Sequence, residues 1–365
     1  MIQSSIANTP SLVRIVGAGF TGLACVLMAL DNPHITRVEM MDPSVSRDSY
    51  NRGASSASAG LMHSLTRKGK EIWKGNDGYI ASLNLIDQVE LNTMRQIKQK
   101  RSKIIRKGGF NNNNNNNNNN DNDNEDCIIE GGLIVDPLEY LYGLWELAEI
   151  RAKELNKELI WDTKSLNSYD ELLNLSTNIN NNNGIIICTM GAGISNKIWG
   201  DDLPISYELG RNIIIDNKYN LNDALLNGEY VVPMHNYQKI IFGATHERDN
   251  DKKNVNEHYT NLRNKINKKL YPLTDLLWPE IKYNDNNENI LPLNCEIRKG
   301  IRVQSQRTHL GRIPIVDKHS KIDNCYIATG FGSRGLIHHA LVAEMVINAA
   351  INNDLSYIPK EMRIK

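Results

Sequence analysis

Five cysteines in 365 residues, an odd number, are scattered at Cys25, Cys127, Cys188, Cys295 and Cys325, and no CxxC pair occurs. Their spacing argues against a structural zinc site and for a reducing compartment. An excess of one charge is also missing. Forty-two Lys and Arg offset forty-two Asp and Glu, and the pI is near 7.1. No global field therefore draws the chain toward nucleic acid or a membrane surface. No run of 18 apolar residues occurs, and the opening MIQSSIANTPSLVR has no apolar h-region. The expectation is no membrane span, no secretory signal and a cytoplasmic location. Neither a Ser–His–Asp arrangement nor a metal-ligand spacing stands out, so the expected metal content is none.

What is present is an ordinary globular composition, 40% hydrophobic and 23% charged, long enough for one large domain or two interleaved ones. LVRIVGAG (Leu12 to Gly19) is a β-branched run ending in glycine, FTGLACVLMAL reads as a helix, and TRVEMMD (Thr36 to Asp42) as a second strand. Together they predict a βαβ unit at the start of the fold. Apolar spacing predicts a helix from about 80 to 105. Residues 111–124, NNNNNNNNNNDNDN, cannot pack and predict a disordered insert. Asp136 and Pro137 predict a capped helix start. GIIICTMGAG (Gly184 to Gly193) is another buried strand ending in glycines. RNIIID, EYVVPM and KIIFGATHE then alternate in the manner of an antiparallel sheet, and a Lys- and Asn-rich stretch to about 289 reads as helical.

Gly17, Ala18, Gly19, Phe20, Thr21 and Gly22 spell GxGxxG between the first strand and helix, and Asp42 follows Gly22 by twenty residues at the end of the second strand. This is the pattern for a dinucleotide. Glycines allow a tight turn and close approach to a pyrophosphate, and a carboxylate reaches the ribose hydroxyls. GASSASAG begins eleven residues after Asp42 and offers Ser55, Ser56, Ser58 and Gly60, suiting the phosphate and ribityl part of FAD.

The order GxGxxG, GASSASAG, GGLIVDP, ICTMGAG, FGATHE, GIRV and GFGSRGL resembles the D-amino-acid-oxidase-type FAD-dependent oxidoreductases, over nearly the whole chain. Within that group, GFGSRGL followed by ALVAEMV is most similar to the oxidase half of the bifunctional enzymes that make 5-methylaminomethyl-2-thiouridine in tRNA. The resemblance implies an α/β fold: a Rossmann-like FAD-binding domain with an inserted antiparallel-sheet substrate domain. The expected division is 9–80, 126–202 and 288–365 for FAD, against 81–125 and 203–287 for substrate. It also implies hydride transfer from the carbon beside an amine nitrogen, followed by imine hydrolysis.

Gly191, with Gly332, Ser333, Arg334, Gly335 and Leu336, would close on FAD. A helix start at Gly332 to Leu336 facing the flavin's N1 and C2 carbonyl would add about 1–2 kcal/mol, or roughly 20–40 mV, to its reduction. Two roles are open to Arg334: reinforcing that field or pairing with a core carboxylate. Arg302 in GIRV would either clamp a substrate carboxylate bidentately or serve as a surface or structural ion-pair arginine. His338 and His339 are expected to pack, while His63 is the better candidate for the active side. Seven basic residues lie between Arg95 and Lys107 with no acid among them. They are either a tRNA phosphate contact or a solvated helix face. The open functional readings are oxidation of a small amine or amino acid, removal of a carboxymethyl group from a modified tRNA wobble uridine, and a non-catalytic flavin-binding partner protein.

Overall fold

The computed structural model describes residues 10–44, 53–66, 68–99, 102–107, 126–180, 184–218, 220–234, 236–248, 261–262 and 295–364. The Asn-rich insert expected at 111–124 and nearly all of the helical stretch expected up to 289 lie outside them.

The glycine at position 17 ends strand β1 (Leu12–Val16), and the chain turns directly into α1 (Phe20–Asp31) and returns in β2 (Arg37–Met41). After a short β3 (Leu61–Met62) comes α2 (Gly75–Thr93), then β4 (Ile104–Arg106), β5 (Cys127–Ile128) and β6 (Leu133–Ile134). Helix α3 (Pro137–Glu154) starts as anticipated. Asp136 accepts the amides of Leu138 and Glu139 at 3.1 and 3.2 Å, a cap that contributes about 1 kcal/mol. Strand β7 (Glu158–Asp162), α4 (Tyr169–Asn180), β8 (Gly184–Cys188) and the short α5 (Asn196–Trp199) follow.

The strands β7, β2, β1, β8 and β15 (Cys325–Thr329) run parallel, and β14 (Ile315–Lys318) closes one edge antiparallel to β15. Both faces of this sheet are covered. Val13, Ile15, Met40 and Ile187 meet Leu23 and Leu27 of α1 and Val342 and Val346 of α6 (Gly335–Asn352). On the other side Leu12, Val16, Ile186 and Cys188 meet Leu172 and Ile179 of α4 and Trp199. Coverage on both sides is why β8 reads as an unbroken apolar run, each large side chain contributing about 1.5–3 kcal/mol, while the charged Arg14 of β1 and Arg37 of β2 both pair with Glu39.

The second sheet is mostly antiparallel, in the order β13 (Glu296–Ser305), β9 (Ile205–Asp216), β12 (Lys239–Gly243), β11 (Glu229–Met234), β10 (Ala224–Asn227), β4, β5. Ile213, Val231, Ile240 and Phe242 form one face, and Ile214, Val232 and Ile241 the other.

Two expectations are corrected here. The helix read from 80 to 105 is α2, and it stops at Thr93 because Met94 takes a left-handed φ of 57°. Glu90 accepts the amides of Ile97 and Lys98 beyond it, at 2.8 and 2.7 Å, and so holds the chain in a turn back toward β4. Ile97 is fully buried, but in this return loop rather than on a helix face, which is how the apolar spacing misled. The stretch 288–365 was expected wholly with the first sheet. Its Glu296–Ser305 segment instead pairs along its whole length with β9, Arg302 directly opposite Glu208.

Candidate functional site

The carboxyl ends of β1, β2, β8 and β15 open on one cavity of about 960 Å³, lined by residues of both sheets. That volume is at the upper end of the roughly 300–1,000 Å³ of small-molecule sites. Carboxyl ends of parallel strands are where open α/β sheets bind ligands.

The glycine turn after β1 is forced by backbone approach. Gly17 has φ +106°, and a Cβ there would meet the Thr189 oxygen at 2.7 Å. A Cβ on Gly22 would lie 1.9 Å from the Gly17 oxygen. Gly22 is the one expected site residue that does not line the cavity. Its role is to let α1 pack against the turn. Gly17, Ala18, Gly19, Phe20 and Thr21 do line it. Asp42 stands beside them, one carboxylate oxygen accepting the Ala18 amide at 2.8 Å and the other the Ser44 amide and hydroxyl.

The serine loop forms an adjoining wall with Ser55, Ser56, Ser58 and Gly60. Ser55 Oγ accepts the Phe20 amide at 3.2 Å, and Ser56 Oγ donates to the Gly53 carbonyl at 2.9 Å. The Ser58 hydroxyl is buried and has no partner among the described residues. Gly191 lies on the wall at φ +51°, with open space where a Cβ would point.

Gly332, Ser333, Arg334, Gly335 and Leu336 also line the cavity, and Gly332 is in the left-handed region at φ +57°. Arg334 donates to the Arg312 carbonyl at 3.0 Å and has no carboxylate partner among the described residues. Of its two open roles, the core ion pair is therefore not the one taken. Burial lowers its pKa.

Arg302 lines the cavity as well. Its Nη2 donates to Glu208 Oε1 at 2.6 Å and lies 3.0 Å from His246 Nδ1, while its buried Nε has no partner among the described residues. Burial pushes the Glu208 carboxyl up, but the His246 hydrogen bond and the Arg302 charge outweigh it and leave the pKa lowered. Tyr230 donates to Asn212 Oδ1 at 2.8 Å, Asn212 reaches the Ala57 carbonyl, and burial pushes the phenol up to about 12.

Sequence reasoning missed Glu208, His246, Asn212, Tyr230 and Arg106. All but Glu208 line the cavity, and Glu208 sits against Arg302. Only the β9–β13 register brings Glu208 to Arg302, and no spacing along the chain announces it. His63 lines the cavity, and burial, with the Arg106 charge, lowers its pKa. His338 and His339 are buried and do not line it. His338 bonds the Trp73 carbonyl at 2.9 Å, and His339 bonds Tyr140 at 2.7 Å and the Leu336 carbonyl at 2.8 Å.

The basic stretch is not a solvated helix face. Arg95 pairs with Glu139 and Glu146, Lys98 with Asp87 and Glu90, and Lys107 with Asp126, while Arg106 is buried in the cavity wall. Lys100 and Arg101 lie outside the described residues.

No family model and no curated protein sequence matches this chain. Solved structures do. Glycine oxidase from Geobacillus kaustophilus superposes with a TM-score of 0.66 at 14% identity, over 93% of this chain and 94% of that one. Iminodiacetate oxidase from Chelativorans sp. BNC1 gives 0.65 at 15% identity, over 96% and 97%. L-Proline dehydrogenase from P. horikoshii gives 0.66 at 13%, over 97% of each chain. At such identities the likeness is one of fold: the mixed α/β architecture, with its parallel and antiparallel sheets, is shared end to end.

Proposed function

We propose that this chain is an FAD-dependent oxidoreductase that oxidises a C–N bond of an amine or amino acid. One observation carries the reading: seventeen of the eighteen residues named from the sequence for cofactor or substrate converge on a single cavity at the carboxyl edge of the parallel sheet. Structures similar over more than nine-tenths of their length bear the names of amine and amino-acid oxidases and dehydrogenases.

The residues fit FAD. The α1 start and its glycines suit a pyrophosphate, Asp42 the ribose, the unpartnered Ser58 hydroxyl a polar group of the cofactor, and the Gly332–Leu336 turn the flavin's electron-rich edge. The first sheet and its helices form the cofactor side, and the second sheet the substrate side. When bound, FAD supplies the two-electron acceptor for the hydride and passes the pair to oxygen or another acceptor. Arg302 holds the substrate, its unpartnered Nε and planar fork suiting a carboxylate. The imine left on the substrate hydrolyses in water.

The test is anaerobic bleaching of the flavin spectrum by a panel of primary and secondary amines and amino acids. Bleaching by one of them supports the reading. Bleaching only by tRNA carrying a carboxymethylaminomethyl uridine would move the function to tRNA, a reading the paired state of Arg95, Lys98 and Lys107 does not favour. A protein that holds FAD and is bleached by neither class would be a flavin-binding partner without catalysis.

A further inference from the structure

We propose that His246 and Glu208 form a proton-accepting pair, in which His246 Nε2 removes the proton from a substrate ammonium before the neighbouring C–H bond is broken. The inference rests on the amine-oxidation reading above. A protonated amine has no lone pair, so hydride cannot leave the adjacent carbon to give an imine. One N–H bond must break first, its electron pair staying on nitrogen and its proton passing to the imidazole.

The hydrogen-bond geometry fixes which ring nitrogen is available. His246 Nδ1 lies 2.8 Å from Glu208 Oε1, and Arg302 Nη2 lies 2.6 Å from the same oxygen. If Nδ1 were the acceptor, its lone pair would face a carboxylate oxygen at hydrogen-bond distance, which is repulsive. With a proton on Nδ1, two donors converge on one acceptor, and the 3.0 Å between Nη2 and Nδ1 follows from their sharing it. The lone pair is then on Nε2, which has no partner among the described residues, and His246 lines the cavity with its side chain 46% exposed. Glu208 is buried and anionic, held by two donors, and it compensates the charge that His246 acquires. This is the carboxylate–imidazole logic of a general base with its orienting acid.

The surroundings hold the pair in place without neutralising it. Leu209 and Glu247 exchange two backbone hydrogen bonds of 2.9 Å just after His246, and the Thr245 amide donates to the Arg211 carbonyl at 3.1 Å just before it. Thr245 Oγ1 accepts the Arg211 amide and donates to Glu247, which pairs with Arg211. Arg302 on β13 and Arg248 beyond β12 act on Glu208 by their charge, and Tyr230 on β11 feels the charge of Arg302. His246 is the catalytic group here, and Glu208 positions it.

The first readout is the imidazole itself. FAD-loaded protein carrying 13C at histidine Cε1 is titrated with 2-aminoisobutyrate and with tert-butylamine, which have no α-hydrogen and cannot be oxidised. The His246 signal is assigned by its loss in His246→Asn. It should move to the imidazolium position as probe binds, and Glu208→Gln should abolish that move near neutral pH. A neutral His246 beside bound probe overturns the proposal.

The second readout is the pH profile of flavin bleaching by an amine that reduces the parent protein. His246→Ala should slow bleaching about 10²–10⁴-fold near pH 7, with recovery in added imidazole and at alkaline pH, where solvent has deprotonated the amine. A profile identical to the parent's overturns the proposal. Protein that retains no FAD would instead end the amine-oxidation reading, before any probe is added.

Discussion

A methyl group on Gly22 would sit 1.9 Å from the Gly17 oxygen, too close for any side-chain shift to relieve, because that oxygen is backbone and the methyl is fixed by the helix. Gly22→Ala should therefore cost about 1–3 kcal/mol by overpacking and lower both the melting temperature and FAD retention. Asp42 acts differently, through charge. It orders the turn by accepting the Ala18 amide, and in the proposed complex it also meets the ribose. Asp42→Ala should weaken FAD binding by about 1–3 kcal/mol with secondary structure intact, as read by flavin fluorescence titration and circular dichroism. Unchanged affinity would remove Asp42 from the site.

Burial holds the pKa of His338 and His339 down to about 4, against about 6.5 in an unfolded chain. Each is thus neutral in the folded protein over a range where the unfolded chain takes up protons. Their stabilising effect is complete above pH 6.5 and is lost as pH falls toward 4, by about 2 kcal/mol per histidine at pH 5. Denaturant midpoints compared at pH 7 and pH 5 should show this loss, and His339→Phe should lose less over the same interval.

At the scale of elements, the entrance to α6 is the most informative. Gly332 and Gly335 were legible in the sequence as positions for close approach, and they line the cavity. The Arg334 charge without a carboxylate partner adds to the helix N-terminus. Arg334→Gln should then lower the flavin's two-electron potential by tens of millivolts, about 30 mV for each 1.4 kcal/mol lost, as measured against reference dyes. A potential that does not move would assign Arg334 to holding the Arg312 carbonyl alone. The α2 boundary was not legible. Leu91, Met94 and Ile97 keep helical spacing, yet Leu91 and Met94 are exposed and Ile97 is buried in the following loop. A left-handed residue and the Glu90 carboxylate decide where α2 ends, and spacing along the chain does not encode either. The acids that neutralise Arg95, Lys98 and Lys107 were hidden for a related reason: most come from other elements.

For the whole molecule, the turn after β1 and its surroundings could be read from the sequence because their signals are local. Strand, glycine turn, helix and carboxylate follow one another within thirty-odd residues. The second sheet's contribution to the cavity could not. Glu208 and Arg302 lie on neighbouring strands of the second sheet and His246 follows β12, so the three meet only through the sheet's register. Arg302→Lys, which keeps the charge but loses the planar fork, should strongly reduce turnover of a carboxylated amine while FAD stays bound. Equal activity would leave Arg302 as the partner of Glu208 and nothing more.

The cavity at the carboxyl edge of the parallel sheet is proposed to hold a flavin. The most direct test is to saturate the purified protein with FAD and FMN in competition, remove free ligand, denature, and identify what is released. The account predicts a yellow protein that releases FAD in a one-to-one ratio with the chain and little FMN. A colourless protein that retains neither would contradict it.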